Sequence, residues 1–182
     1  MVKFFQHAFR FDHSWEEVTL AFFLRYPNPH ARHVLAADIL EQHVDPATGN
    51  LHTTRLLLKK GVIPKWGNKI VKNNEAYILE ESVVDPKQQQ MTARTRNVTH
   101  KRLMYIEETQ HYRMHAENPA WTHVKTEARI LSNVGWGLTS RIEGFGLKRF
   151  ADNTARSRQG MKWVLEMLRG QHGLRGALPQ NV

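Results

Sequence analysis

The chain has 182 residues, with 26 Lys+Arg against 17 Asp+Glu, which gives a formal net charge of +9 at pH 7. This length suffices for one domain with a single core, and a composition of 41% hydrophobic and 24% charged residues excludes a disordered chain. The lack of cysteine excludes disulfides, thiolate nucleophiles and cysteine-ligated metal centres. The positive charge favours an anionic partner: nucleic acid, a membrane surface or a ligand that carries phosphate.

The first predicted elements are a strand and a helix. Residues 3–11 have strand character, and Ser14 with Glu17 then forms a capping box that begins a helix. Apolar residues follow at helical spacing, which predicts a face packed on the core. The helix is expected to end near Tyr26, because two prolines follow within three residues and cannot continue it.

The middle of the chain predicts a sheet. Runs with strand character, separated by turn signals, lie at 33–43, 51–59, 76–84, 91–98, 102–114 and 121–131. Consecutive strands joined by short turns favour an antiparallel meander. A helical period over about Thr139–Arg169 then predicts a long C-terminal helix, followed by a frayed tail. The expected architecture is α+β: one domain over 1–172, a flexible tail over 173–182, and a helix across a curved sheet that encloses a pocket.

Signatures of catalysis and of metal binding are missing from the sequence. There is no H-E-x-x-H, no G-x-S-x-G and no Walker-type glycine loop. The adjacent carboxylates Glu80/Glu81 and Glu107/Glu108 lie in predicted strands, so each pair points to opposite faces of the sheet. We therefore predict no enzyme, no metal site and no cofactor.

The segment 59–71 combines apolar and cationic residues with Gly and Pro, and matches neither a strand nor a helix. Such a loop can insert apolar side chains below lipid headgroups while its lysines pair with anionic phosphates. The alternative is a surface loop with its tryptophan packed on the core, and the composition does not decide between them. The candidate membrane contacts are Val62, Ile63, Lys65, Trp66 and Ile70.

A polar stripe runs along the predicted C-terminal helix. Arg149, Asn153 and Arg156 are spaced at i, i+4 and i+7, and Lys148 is adjacent. The stripe is either a solvated basic face or an inward-facing phosphate site.

Six segments of the chain resemble one known family. They are R-Y-P-N-P at 25–29, His33-Val34, N-L-x-T-T-R-L-L at 50–57, S-V-V-D-P at 82–86, T-R-N at 95–97 and S-R-x-G-M at 157–161. In this order and spacing they resemble the PRELI family of intermembrane-space lipid carriers, over about residues 1–169. Within that family the likeness is to the fungal carrier of phosphatidic acid.

The resemblance implies a START-like fold: a seven-stranded antiparallel sheet against a long C-terminal helix, a lipid cavity between them, and a lid at the segment 59–71. It implies location in the mitochondrial intermembrane space, peripherally on membranes, without a cleaved presequence. It also implies an obligate heterodimer with a small twin Cys-x9-Cys protein.

Carried over by position, the resemblance implies a headgroup-binding set. Its members are Arg25, His33, Lys59, Arg149 and Asn153, with Lys148 and Arg156 nearby. Arg55 has two open roles, a structural ion pair or a lipid contact. Ile142, Phe145 and Met161 are candidates to line an acyl-chain cavity. Protonated histidines are expected to strengthen membrane docking at mildly acidic pH, and His33 is the residue to test.

The function implied is transfer of phosphatidic acid between the outer and inner mitochondrial membranes, which supplies cardiolipin synthesis. A phosphatidylserine carrier is the main alternative. A nucleic-acid-binding domain is a weaker alternative, because Tyr77, Tyr105 and Tyr112 are too scattered for a base-stacking platform. A small-ligand enzyme on the same fold is the third.

Overall fold

The computed structural model describes residues 2–61, 74–101, 103–132 and 139–175, with the side chains of the last helix described over 142–170. The elements are strand β1 (Val2–Phe11), helix α1 (Trp15–Leu24), a 3₁₀ turn (Pro29–Ala31), β2 (Val34–Val44), β3 (Leu51–Lys60), β4 (Glu75–Asp85), β5 (Gln90–Asn97), β6 (Tyr105–Met114), β7 (Thr122–Leu131) and helix α2 (Thr139–Arg175). No helix in these ranges is both long and apolar enough to cross a bilayer.

The strands form one antiparallel sheet in the order β1-β7-β6-β5-β4-β3-β2. Strands β2 to β7 are therefore neighbours in chain order, and β1 pairs with β7 at the far edge. The predicted meander and α+β class are confirmed, and the curved sheet with its long helix has the START-like arrangement.

Helix α1 begins at the predicted capping box. The Ser14 hydroxyl accepts a hydrogen bond from the backbone N–H of Glu17, and the Glu17 carboxylate accepts one from the N–H of Ser14. The helix ends at Leu24 with Arg25 as its C-cap. Its buried face, which includes Val18 and Phe22, packs into the main core.

The core occupies one end of the sheet. One line of paired residues across the strands, Leu51, Val84, Met91, Tyr112, Val124 and Phe9, is apolar except for one phenol. Helix α1 and the second half of α2 cover this line, the latter with Met161, Val164 and Leu165. A smaller apolar cluster around Ile130 and Phe150 holds the other half of α2 against β7.

Helix α2 continues to Arg175, six residues past the predicted end at Arg169. The glycines at 170 and 173 weaken a helix by about 1 kcal/mol each but do not block it.

Candidate functional site

A cavity of about 180 Å³ lies between the sheet and α2, beside the apolar core. Helix α2 contributes Phe150, Asn153, Thr154 and Ser157, which recur at i, i+3, i+4 and i+7 and therefore share one face. Most of the other lining side chains come from the inward-facing positions of β3 to β6 and are polar or charged. The site is thus a polar interruption in an otherwise apolar interface.

Four of the predicted headgroup residues line this one cavity: Arg25, His33, Lys59 and Asn153. Arg25 caps α1, His33 directly precedes β2, and Lys59 is the penultimate residue of β3. The backbone N–H of Lys60 donates to the carbonyl of His33 over 2.7 Å, which holds the His33 segment against β3. Their role in binding a headgroup stays a prediction.

The other three predicted residues, Lys148, Arg149 and Arg156, do not line the cavity. Lys148 and Arg156 are exposed, and Arg149 is partly buried. Arg149 and Arg156 nevertheless lie close enough to His33 for their charges to act on its ring. They contribute positive potential to the cavity without contacting it.

His33 is neutral at physiological and mildly acidic pH. Burial, followed by the charges of Lys59, Arg156 and Arg149, lowers the pKa of His33 to about 4. The part of His33 in the expected strengthening of membrane docking at mildly acidic pH is therefore wrong, because burial and three cations oppose protonation of its ring. A neutral imidazole still offers one N–H donor to a ligand.

Arg25 and Arg55 share one buried carboxylate, Glu80. Arg55 Nε lies 2.8 Å from Glu80 Oε1, and Arg25 Nη2 donates to Glu80 Oε2. Burial alone would raise the pKa of Glu80, but Arg25 and Arg55 more than offset this and hold it below its ordinary value. Of the two roles predicted for Arg55, the structure shows the structural ion pair, with Glu80. Arg55 does not line the cavity.

The same two guanidinium groups cap the C-terminus of α1. Arg55 Nη1 donates to the carbonyl of Phe23 over 3.2 Å, and Arg25 Nη1 donates to the carbonyl of Phe22. These carbonyls belong to the last turn, which lacks intrahelical partners and carries partial negative charge. Arg25 also stacks on the Phe22 ring at 3.7 Å from its centroid. Arg25 is thus a structural residue that also faces the cavity.

Lys59 differs from Arg25, because no described residue forms an ion pair with it. Its charge acts instead on the groups around it: Lys59 and Arg25 hold the pKa of Tyr26 below its ordinary value although burial opposes this. An ammonium group in this position is available to an incoming anion.

The three acyl-chain candidates on α2, Ile142, Phe145 and Met161, do not line the cavity. Met161 is 3% exposed within the main core, and Ile142 is 2% exposed. The apolar side chains that do line it include Ile78, Ile106 and Phe150. The candidate lid residues Val62, Ile63, Lys65, Trp66 and Ile70 lie outside the described residues.

Sequence reasoning missed the inward-facing carboxyls Glu80 and Glu108. It was right that Glu80 and Glu81 point to opposite faces, since Glu80 is 1% exposed while the Glu81 side chain is 43% exposed. That Glu80 and Glu108 lie on the same face becomes apparent only when residues of different strands are aligned. The alternation of each strand, combined with the meander, would have placed both carboxyls on the inner face.

Known proteins are similar to this chain in sequence or in fold. A model of the PRELI-like family matches residues 16–171. The chain belongs to the PRELI-like family. The "Protein ups1 homolog" of Schizosaccharomyces pombe is 39% identical over 153 residues, covering 84% of this chain and 89% of that protein. The mitochondrial "PRELI domain-containing protein 1" of Bos taurus is 38% identical over 174 residues, covering 94% and 78% respectively.

A solved structure supports the fold of this PRELI-like chain at much lower identity. The Zhui aromatase/cyclase from Streptomyces superposes with a TM-score of 0.62 and 8% identity, covering 91% of this chain and 94% of that one. At this identity the likeness concerns the fold alone. Membership of the PRELI-like family supports a general role in mitochondrial lipid transfer, and its members are not known as enzymes.

Proposed function

We propose that this protein carries phosphatidic acid between the outer and inner mitochondrial membranes and thereby supplies cardiolipin synthesis. The observation that supports it is the convergence of Arg25, His33, Lys59 and Asn153 on one cavity in a PRELI-like chain. Lipid carriage is an exchange between bilayer and cavity and needs no bond chemistry.

The charges of the cavity suit a phosphate group. The cluster of Arg25, Arg55 and Glu80 carries one net positive charge, and Lys59 adds a second. Glu108 also lines the cavity and removes one positive charge when it is ionised. A buried phosphate is strongly disfavoured unless cations and hydrogen-bond donors compensate it. Lys59, the neutral imidazole of His33 and the amide of Asn153 supply such donors.

The size of the cavity favours a small headgroup. A volume of about 180 Å³ is below the roughly 300–1,000 Å³ of a typical small-molecule site. A phosphomonoester needs less of this volume than a choline or serine headgroup. Phosphatidic acid is therefore the first candidate, and phosphatidylserine is the alternative.

The acyl chains require more space than the cavity offers. Two chains of about 16 CH₂ groups, at about 0.8 kcal/mol each, would lose about 25 kcal/mol if left in water. We infer that α2 and the sheet separate to admit a whole lipid.

Membrane docking and a protein partner belong to the same proposal. A net charge of +9 favours docking on anionic membranes, where each nearby Lys or Arg contributes about 1 kcal/mol. The family resemblance supports location in the intermembrane space, a heterodimer with a twin Cys-x9-Cys protein and a transfer domain over 1–172. It also supports a lid at the segment 59–71, whose first two residues belong to β3.

The test is transfer of fluorescent phosphatidic acid between liposomes, with phosphatidylserine measured in parallel. The informative variant is Lys59→Glu, and Lys87→Glu is its control because Lys87 lies exposed in the turn between β4 and β5. We expect Lys59→Glu to reduce transfer at least tenfold and Lys87→Glu to stay within twofold of wild type. A folded wild-type protein that transfers neither lipid overturns the carrier function, and preferential transfer of phosphatidylserine overturns the choice of lipid.

A further inference from the structure

A line of polar residues crosses the inner face of the sheet beneath α2. Arg55, Glu80, Thr95 and Glu108 are directly paired across β3, β4, β5 and β6. Neighbouring strands are about 4.8 Å apart, so Glu80 and Glu108, two strands apart, have their α-carbons separated by roughly 10 Å. The cavity therefore contains two carboxyl groups as well as its cations.

The two carboxyls have different partners. Glu80 is bound by two guanidinium groups. Glu108 accepts a hydrogen bond from the Gln110 amide, with Nε2 2.8 Å from Oε1, and a long one from the Thr95 hydroxyl at 3.5 Å from Oε2. Within the described ranges no cation forms an ion pair with Glu108. A carboxylate has about four acceptor positions, so these two neutral donors leave Glu108 able to accept further hydrogen bonds in the cavity.

The charged groups nearest Glu108 are Lys59 of β3, Arg25 after α1 and Glu80 of β4. Arg96 of β5 also lines the cavity, and its guanidinium pairs with Glu81. Helix α2 contributes no charged side chain to the cavity lining. Burial is the main influence and raises the pKa of Glu108, Glu80 acts in the same direction, and Lys59 and Arg25 oppose them. Glu108 thus takes up a proton more readily than an exposed glutamate.

An acidic side chain beside a phosphate site restricts the protonation state in which a phosphate can bind. Two anionic groups in hydrogen-bond contact cannot both be fully ionised, so a proton must lie between them. A phosphomonoester can supply it, because its monoanion carries a P–OH donor and its second pKa is near 6. A phosphodiester has no such donor, so the contact forms only when Glu108 itself takes up the proton, whereas a monoester offers a second group that can hold it.

We propose that Glu108 selects a phosphomonoester headgroup by sharing one proton with it. This inference rests on the proposed function and assigns the choice of headgroup to a residue outside the predicted cationic set. At a pH where both partners are ionised in their free states, binding takes up one proton from solvent. No covalent bond is made or broken.

The test compares wild type with Glu108→Gln, whose amide has the same shape but does not titrate. The probes are dioleoyl phosphatidic acid and its phosphomethyl ester, a phosphodiester, each extracted from neutral carrier vesicles between pH 6 and 8.5. Glu127→Gln is the control, because Glu127 pairs with Lys125 and its side chain is 46% exposed.

In wild type we expect phosphatidic acid affinity to fall with rising pH, approaching tenfold per unit, since one proton is taken up. Glu108→Gln should flatten this dependence, because its amide donates to the dianion, and should reduce the preference for monoester over diester at least fivefold. Glu127→Gln should behave as wild type. An unchanged pH dependence and preference in a folded Glu108→Gln overturns the role of Glu108.

A second measurement does not depend on any variant. Titration calorimetry of wild type with short-chain phosphatidic acid at pH 8, in buffers of different ionisation enthalpy, should show uptake of about one proton per ligand. Binding with no proton uptake overturns the Glu108 inference alone. Absence of any phosphatidic acid binding by folded wild type overturns the proposed function itself.

Discussion

Helix α2 approaches the loop after α1 so closely that a β-carbon on Gly160 would lie 2.8 Å from Asn28 Nδ2. The Asn28 side chain cannot move aside without loss, because its Oδ1 accepts from the His30 N–H at 2.8 Å and its amide donates to the Arg25 carbonyl. Gly146 of α2 lies similarly close to Met104 in the loop between β5 and β6, since a β-carbon on Gly146 would lie 2.5 Å from Met104 Sδ. The cavity-lining face of α2 lies between these two contacts.

We predict that Gly160→Ala destabilises the protein. Alanine favours a helix by up to about 1 kcal/mol over glycine, but overpacking against an anchored side chain costs about 1–3 kcal/mol. With the full helix gain subtracted, the expected net loss is up to about 2 kcal/mol in the free energy of unfolding by urea. Gly144→Ala is the control, since nothing lies within 4 Å of its added β-carbon, and it should stabilise. Stabilisation by both substitutions would mean that α2 does not press on Asn28.

Glu80 is predicted to be essential for the junction of α1 with the sheet. Glu80→Gln leaves the guanidinium groups of Arg25 and Arg55 buried without a counter-ion, and the loss of one partner from a buried ion pair costs about 3–5 kcal/mol. Urea unfolding should show a loss of this size. Glu81→Gln, on the outer face of the same strand, should stay within about 1 kcal/mol of wild type because exposed ion pairs contribute little. Equal effects of the two substitutions would contradict this role.

The sequence predicted the elements well because their signals are local. The capping box at Ser14, the prolines after α1 and the alternation within each strand each involve residues a few positions apart. The family resemblance brought Arg25, His33, Lys59 and Asn153 together, but spacing alone does not unite residues from four elements. The sequence also did not predict that Arg25 and Arg55 share Glu80 as an ion-pair partner. Glu80 is 55 residues from Arg25 and 25 residues from Arg55 along the chain. Pairing of that kind depends on the register of the sheet and on the end of α1.

His33 should make the stability of the protein depend on pH. Its pKa is about 4 in the folded chain against 6.5 for a free histidine, so between these values the unfolded chain binds a proton that the folded chain does not. Stability therefore falls as pH falls from about 6.5 to 4. Urea unfolding at pH 7.5 and 4.5 should show a smaller loss in His33→Asn than in wild type.

The control for this pH dependence is His30→Asn, because His30 is exposed in the neighbouring 3₁₀ turn. It should lose as much stability on acidification as wild type does. If His33→Asn also loses as much stability as wild type, burial and the three cations near His33 do not hold its ring neutral.

Asn153 offers the most direct test of the cavity as an anion site. Asn153→Asp preserves the shape of the side chain but replaces an amide donor by a carboxylate facing the ligand phosphate. Like charges at about 6 Å repel by roughly 3 kcal/mol at an effective dielectric constant near 20, so binding of phosphatidic acid should weaken at least tenfold. The measurement is lipid extraction from vesicles at pH 7.4.

The matched control for Asn153→Asp is Ala151→Asp, which adds the same charge at an exposed position of the same helical turn that does not line the cavity. Both variants lower the net charge to +8, from 9 − 1, so both weaken attraction to an anionic membrane equally. A loss confined to Asn153→Asp places the phosphate in the cavity. Equal losses in the two variants would instead assign the effect to docking on the membrane, and the headgroup would have to bind elsewhere.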